Sequence, residues 1–380
     1  MKIVYCIHSV YNPGGMERVL LNKLRWLRSH TAWEFTVVTT DQHGRPPFFT
    51  FPDGVEFIDL GINYSDDNSL GAVAKTLGYL RRRKAHKKAL TELLMRIRPD
   101  ITVSLFPCES GFIPGIKDGS KKVLELHQCR LFRLQYNRTG LRGLSDRLRY
   151  RSDLRLVRRF DRFVSLSEED RALWGREPNI EVIPNAAILE DPVLSDCSAK
   201  RVIAAGRLDY QKSFDRLLEA WALVRKDSAC SGWKLDIFGQ GPWEEMLKKQ
   251  IAGLGLEGAA AVNPPTSHIG AEYAASSIMA MSSHYEGFPM VMIEAMACGL
   301  PAVSFGFHCG PADIIRNGVN GIVVPDGDVP ALAEALKKLI KDDSLRRSMG
   351  AEAAKITQTY GQEAVMAKWM KLFEELCRES

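Results

Sequence analysis

A chain of 380 residues with 45% hydrophobic and 26% charged residues is too long for one small core and too apolar for disorder, so one or two ordinary globular domains are expected. No run approaches the ~18 apolar residues that a membrane-spanning helix needs. The eight cysteines (Cys6, Cys108, Cys129, Cys197, Cys230, Cys298, Cys309 and Cys377) form no C-x-x-C pair, which argues against a zinc knuckle or a disulfide scaffold and for a cytoplasmic protein.

The net charge of +5 is unevenly spread: residues 1–189 carry 31 Lys and Arg against 21 acids, and residues 190–380 carry 20 against 25. The basic half suits nucleic acid or an anionic lipid surface, and charge alone ranks neither first.

Lys2–Ile7 reads as a first strand rather than a signal-peptide core. The loop His8 to Gly15 leads into a helix from Met16 to about Arg28, with Val19, Leu20, Leu24 and Leu27 on one face. Gly14-Gly15 after a strand allows a ligand close to the backbone, although a plain turn is the simpler reading and the G-x-G-x-x-G pattern is absent. Strands follow at Glu34–Thr39 and Val55–Leu60. A long helix spans about Leu70 to Ile97, its apolar rows interrupted by the basic run Arg81 to Lys88.

Ile101–Phe106 and Val123–Leu126 are strands, the second running into His127. Arg130 to Arg162 holds eleven arginines and three aspartates, which reads as a solvated helical face. Strands at Phe163–Leu166 and Glu181–Ile183 close the first half, and residues 186–199, where the charge balance reverses, read as a linker.

The second half restarts the alternation. Strands are expected at Arg201–Ala205, Trp233–Phe238, Ala259–Val262, Ser277–Ser282, Ala302–Phe305 and Ile322–Val324. Helices are expected at Phe214–Val224, Glu244–Leu254, from Met290 to Gly299, from Pro311 and, capped by Asp328, to Lys341, with two more before Cys377. Strands alternating with helices predict a parallel, doubly wound α/β sheet in each half.

Two stretches carry chemistry. Gly206-Arg207-Leu208-Asp209-Tyr210-Gln211-Lys212 places two cations between a strand and a helix, which suits an anion, or is an ordinary surface loop. The second runs from Tyr285 to Pro301. Glu286 directly follows an apolar strand, Gly287-Phe288-Pro289 breaks the chain, a helix opens at Met290, and Glu294 lies two turns on. Such a junction is where open α/β sheets bind ligands, because backbone N–H groups at the helix start face outward. The one D-x-D, Asp326-Gly-Asp328, precedes a helix and reads as a cap, so no metal site is expected.

The Glu286-Gly-Phe-Pro…Glu294-Ala-Met-Ala-Cys-Gly-Leu-Pro stretch resembles the motif of the retaining glycosyltransferases of family 4. The likeness extends to Gly14-Gly15-Met16-Glu17, His127, Ile183-Pro184-Asn185 and the Gly206–Lys212 loop. It implies the GT-B architecture, two Rossmann-like domains facing across a cleft. Residues 1–188 would be the acceptor side and 189–360 would bind the donor, with a C-terminal helix at about 361–380 packing back on the first domain.

By the same resemblance, Arg207 and Lys212 hold the diphosphate of a nucleotide-sugar donor, expected to be a UDP-sugar, without a metal or other cofactor. Glu294 accepts hydrogen bonds from the ribose. Glu286 contacts the donor sugar, with the backbone of Gly287, Phe288, Pro289 and Met290 nearby. Gly14 and Gly15 open the first helix beside the reaction centre, and His127 stands at its acceptor side.

Asn263-Pro264-Pro265 departs from the family's glycine-containing turn beside the base. Cys309-Gly310-Pro311 with Asp313-Ile314-Ile315 looks like members that use UDP-hexoses on bacterial surface polysaccharides. The expected activity is transfer of a hexose or N-acetylhexosamine to a saccharide acceptor, lipid-linked, in capsule, exopolysaccharide, lipopolysaccharide or glycan assembly. The basic first half would dock peripherally on the inner face of an anionic membrane, and nucleic acid is not an expected partner. The alternatives are a nucleotide-sugar epimerase on the same fold and a non-catalytic basic binding subunit.

Overall fold

The computed structural model describes residues 1–69, 71–105, 109–134, 139–175, 177–189 and 193–378, and only the backbone of residues 67–69, 72–73 and 141–142. The expected helix start at Leu70, the strand end at Phe106, and Cys108, Arg138 and linker residues 190–192 lie outside the described residues, as do the last two residues of the C-terminal helix expected to about 380.

Two compact units form. The first comprises Met1–Leu166, Asp170–Ile183 and Met366–Ser380, and the second Ser167–Glu169 and Pro184–Val365. In chain order the first holds β1 (Lys2–Cys6), α1 (Gly15–His30), β2 (Glu34–Thr39), β3 (Val55–Asp59), α2 (Ala72–Ile97), β4 (Ile101–Ser104), β5 (Lys121–Glu125), α3 (Gly140–Val157), β6 (Arg162–Ser165), most of α4 (Glu168–Trp174) and β7 (Ile180–Val182). Its described strands make one parallel sheet in the order β3-β2-β1-β4-β5-β6-β7.

The second unit holds β8 (Arg201–Ala205), α5 (Phe214–Arg225), β9 (Lys234–Phe238), α6 (Glu244–Gly253), β10 (Ala260–Asn263), α7 (Ile269–Ala274), β11 (Ile278–Met281), α8 (Met290–Ala297), β12 (Ala302–Phe305), α9 (Pro311–Ile314), β13 (Gly321–Val324), α10 (Val329–Lys341), α11 (Asp343–Ala354) and α12 (Thr357–Tyr360). Its sheet is also parallel, in the order β10-β9-β8-β11-β12-β13.

Both sheets are doubly wound, as the alternation predicts. Strand order reverses between β1 and β4 in one and between β8 and β11 in the other, and each reversal opens a crevice at the carboxyl ends of the strands. Central strands covered on both faces must be apolar throughout, and Ile278–Met281 and Ala302–Phe305 are buried at every residue. The edge strand β3 instead exposes Glu56 and Asp59, charges that discourage edge-to-edge pairing. In the first unit Val4, Leu90, Leu94, Leu124 and Phe163 belong to one buried cluster.

Three expectations change in detail. The apolar rows of α2 split: Leu90, Leu93 and Leu94 are core, whereas Leu77 and Leu80 stand 64% and 55% exposed. The linker is partly fixed to the second unit, which the chain joins at Pro184: Ala187 is buried and its N–H donates to Tyr360 O at 2.7 Å. The last helix, α13 (Gln362–Arg378), joins the first unit from Met366 onward, burying Met366, Trp369, Leu372, Phe373 and Leu376 along one stripe. Among the described residues no helix is long and apolar enough to cross a membrane.

Candidate active site

In the second unit the loops after β8 and β11 flank the crevice between those strands. Gly206 leaves β8 at φ +152°, and a Cβ there would lie 2.7 Å from Lys212 Cε, so only glycine lets the lysine side chain cross the strand end. Lys212 then reaches Glu286, Nζ to Oε1 at 2.6 Å. Ser283 Oγ donates to the same oxygen at 2.7 Å, and Gln211 Nε2 donates to Oε2 at 3.2 Å. Glu286 is 6% exposed, so burial strengthens this charge-assisted pair while the added donors satisfy the carboxylate.

Arg207 bonds Asp209 through Nε and is otherwise 67% exposed, which leaves its terminal N–H groups facing outward. It lines a cavity of about 520 Å³ together with Glu294 of α8, Gly239 and Gly241 of the loop after β9, and Thr266 and Tyr273. A Cβ on Gly239 would sit 1.9 Å from Gly206 O, so the two loops pack backbone to backbone. Gly206 N–H donates to Phe238 O at 2.9 Å and Leu208 N–H to Gln240 O at 3.0 Å, which holds them there.

Sequence alone marks neither Gly239 and Gly241 nor Tyr273 as part of the cavity wall. Tyr273 is fully buried, and its hydroxyl has no hydrogen-bond partner among the described residues. Burial first, and then the nearby Glu294 charge, push that phenol well above the usual tyrosine range, so it stays a donor.

Phe288 is turned inward and packs on Tyr360, ring centroids 5.7 Å apart, so its side chain anchors the turn. The N–H of Met290 donates locally to Phe288 O and that of Met292 to Pro289 O. Asp328 caps α10, as expected, by accepting from Ala331 N–H at 2.9 Å, and Asp326 pairs with Arg216 at 3.3 Å.

The first unit gathers a second group of polar residues. Gly14 precedes α1, and a Cβ on it would meet Glu17 Oε2 at 2.0 Å, so the Glu17 carboxylate folds over the backbone there. In front of Gly15 the space is open. Burial raises the Glu17 carboxyl, with the nearby His8 and His127 charges opposing.

His127 Nε2 lies 3.2 Å from Glu125 Oε1, and Lys23 Nζ donates to both oxygens of Glu125 at 2.6 and 2.7 Å. Lys23 is only 1% exposed, with its ammonium 3.4 Å from the centre of the Trp369 ring on α13. Burial works against ionisation of Glu125, yet the Lys23 and His127 charges and hydrogen bonds bring its carboxyl down to about 2. An ionised carboxylate only accepts, so the His127 nitrogen that faces Glu125, Nε2, is the one that carries a proton.

Comparison with known proteins fits this geometry. Residues 191–356 match the family described as glycosyl transferases group 1. An exopolysaccharide phosphotransferase of Streptomyces coelicolor is 35% identical over 57% of this chain and 23% of its own length. The amylovoran biosynthesis glycosyltransferase AmsD of Erwinia amylovora is 40% identical over 44% of this chain and 46% of its own. The chain thus spans less than half the length of either of these relatives.

A Campylobacter jejuni N-acetyl-D-galactosaminyltransferase, named for a diNAcBac-PP-undecaprenol-linked saccharide, is 24% identical over 99% of both chains. Among solved structures, sucrose-phosphate synthase from Thermosynechococcus elongatus superposes with a TM-score of 0.80 at 17% identity over the whole of both chains. An Anabaena protein solved with UDP and glucose gives 0.71 at 18% identity over 99% of this chain and all of its own. These likenesses establish the GT-B fold, two Rossmann-like sheets.

Proposed function

We propose that this chain, whose residues 191–356 match glycosyl transferases group 1, is a retaining glycosyltransferase that moves a hexose or N-acetylhexosamine from a UDP-sugar to a lipid-linked saccharide during surface-polysaccharide assembly. The observation that carries the reading is the buried Lys212–Glu286 pair at the β8–β11 crevice, beside a cavity lined by Arg207 and Glu294.

Cleaving a sugar–phosphate bond leaves a nucleoside diphosphate with growing negative charge, which must be met by preorganised positive charge. An ammonium has three donors, so Lys212 can hold Glu286 and a phosphate oxygen together. Arg207 supplies a fork for the second phosphate. Glu294, acceptor-only when ionised, suits the vicinal hydroxyls of a ribose, and Tyr273 adds a buried donor to the same wall. The acceptor hydroxyl attacks the anomeric carbon on the face the diphosphate leaves. The carbon–oxygen bond to phosphate breaks as the new glycosidic bond forms, and the departing phosphate oxygen takes the proton.

Because Arg207 and Lys212 supply the charge, turnover should survive EDTA. Glu294→Ala should weaken UDP binding about tenfold or more, by loss of charged hydrogen bonds worth roughly 1.5–3 kcal/mol. Calorimetry with UDP in EDTA measures this. Equal affinity in wild type and variant would remove the ribose role, and activity lost in EDTA and restored by Mg²⁺ would remove the metal-free mechanism. The acceptor's lipid calls for peripheral docking through the basic first unit, on the cytoplasmic face where the donor is available.

A further inference from the structure

In the first unit, residues of α2, of the segment after β4 and of the turn after α3 line a cavity of about 370 Å³. Its wall carries Arg83, Lys84, Lys87 and Arg159, with Leu80 and Phe112. Their chain neighbours are spent on acids: Arg82 on Asp66, Lys88 on Glu92, Arg158 on Glu177. Among the described residues no carboxylate pairs with the four that face the cavity.

The backbone is fitted to the cations. A Cβ on Gly111 would lie 2.8 Å from Arg83 Nη2, so glycine leaves room for that guanidinium. Arg159 Nη1 donates to Gly111 O at 3.2 Å, which fixes a second guanidinium at the same turn, and Arg83 lies 5.9 Å from the centre of the buried Phe112 ring. Four cations around one concave surface, with no carboxylate among the described residues paired to them, make a pocket of positive potential that suits an anion from outside.

We infer that this cavity is a phosphate-binding site, occupied by the headgroup phosphate of an anionic phospholipid. The lipid, rather than a soluble phosphate, is favoured by what adjoins it. Leu77, Leu80, Lys84 and Lys87 follow one another at helical spacing along α2, and both leucines are more than half exposed. The stripe therefore reads apolar, then cationic, matching acyl chain and headgroup. Arg82 does not belong to it, because its guanidinium is tied to Ile62 O and Asp66. The inference deepens the membrane-docking part of the proposed function and rests on that part alone.

The test needs no sugar donor, so its failure would leave the reading of glycosyl transfer untouched. Flotation is compared on phosphatidylcholine vesicles with and without phosphatidylglycerol, and inorganic phosphate binding is followed by calorimetry. Three proteins are measured: wild type, Lys84→Gln/Lys87→Gln, and the charge-matched control Arg81→Gln/Lys88→Gln, each checked for an unchanged melting curve. Wild type and control should float with phosphatidylglycerol only, and the cavity variant should bind those vesicles at least tenfold more weakly. Equal loss in both variants would reduce the effect to diffuse charge and overturn the site, as would no binding of either probe by wild type. Phosphate binding without flotation would overturn the lipid assignment.

Discussion

Lys212→Ala should lower kcat by about 100-fold or more, about 2.7 kcal/mol of transition-state stabilisation, with a smaller change in KM. The expectation comes from geometry. Lys212 is confined by the strand-end glycine, held 2.6 Å from Glu286 and largely buried, so its charge is in place before the substrate arrives. A cation that need not reorganise favours the leaving diphosphate over the intact donor, which is why the loss should fall on kcat. Glu286→Ala should also hurt turnover of the complete donor. Because the two residues act as a pair, the double variant should lose much less than the sum of the single losses. Steady-state kinetics on the four proteins checks this, and Lys212→Ala within threefold of wild type would remove the lysine from the mechanism.

Glu125→Ala should destabilise the first unit by roughly 3–5 kcal/mol, because it leaves the Lys23 ammonium buried without its counter-charge. The penalty has a defined pH window. The Glu125 carboxyl lies at about 2 in the folded chain against 4.5 for an ordinary glutamate, so its stabilisation is complete above about 4.5 and fades as pH falls towards 2. Urea unfolding should therefore separate wild type from variant widely at pH 7 and less at pH 3. Replacing both partners with apolar residues, Lys23→Met/Glu125→Leu, should recover most of the loss. A single variant as stable as wild type would mean that the pair contributes nothing. Glu125→Gln bears on function: it keeps a hydrogen-bonding group beside His127 but no longer fixes the proton on Nε2, so the pH profile of turnover should move even where the fold survives.

The strands and helices were legible because burial on both faces forces runs such as Ile278–Met281 to be apolar, and because Asp328 and Gly299 end or begin helices by local chemistry. The six-residue α7, which carries Tyr273 to the cavity, was not seen: it is too short to show a period, and Pro264-Pro265 just before it reads as a break. Lys23 was invisible for a different reason. A lysine on a helix is normally solvated, and what buries this one is Glu125, 102 positions away, and a ring on the last helix. Glu286 and Lys212 were both readable from their motifs. That they pair with each other was not, since the contact depends on Gly206, whose role is a missing side chain.

The most direct measurement of the central claim follows a radiolabelled sugar. Wild type and Lys212→Ala are incubated with a panel of labelled UDP-hexoses and UDP-N-acetylhexosamines, EDTA and a membrane extract containing lipid-linked saccharides, and label is counted in the organic-extractable fraction. The account predicts incorporation from at least one UDP-sugar by wild type, with release of UDP, and about 100-fold less by the variant. No incorporation from any UDP-sugar, or equal incorporation by both proteins, would contradict it.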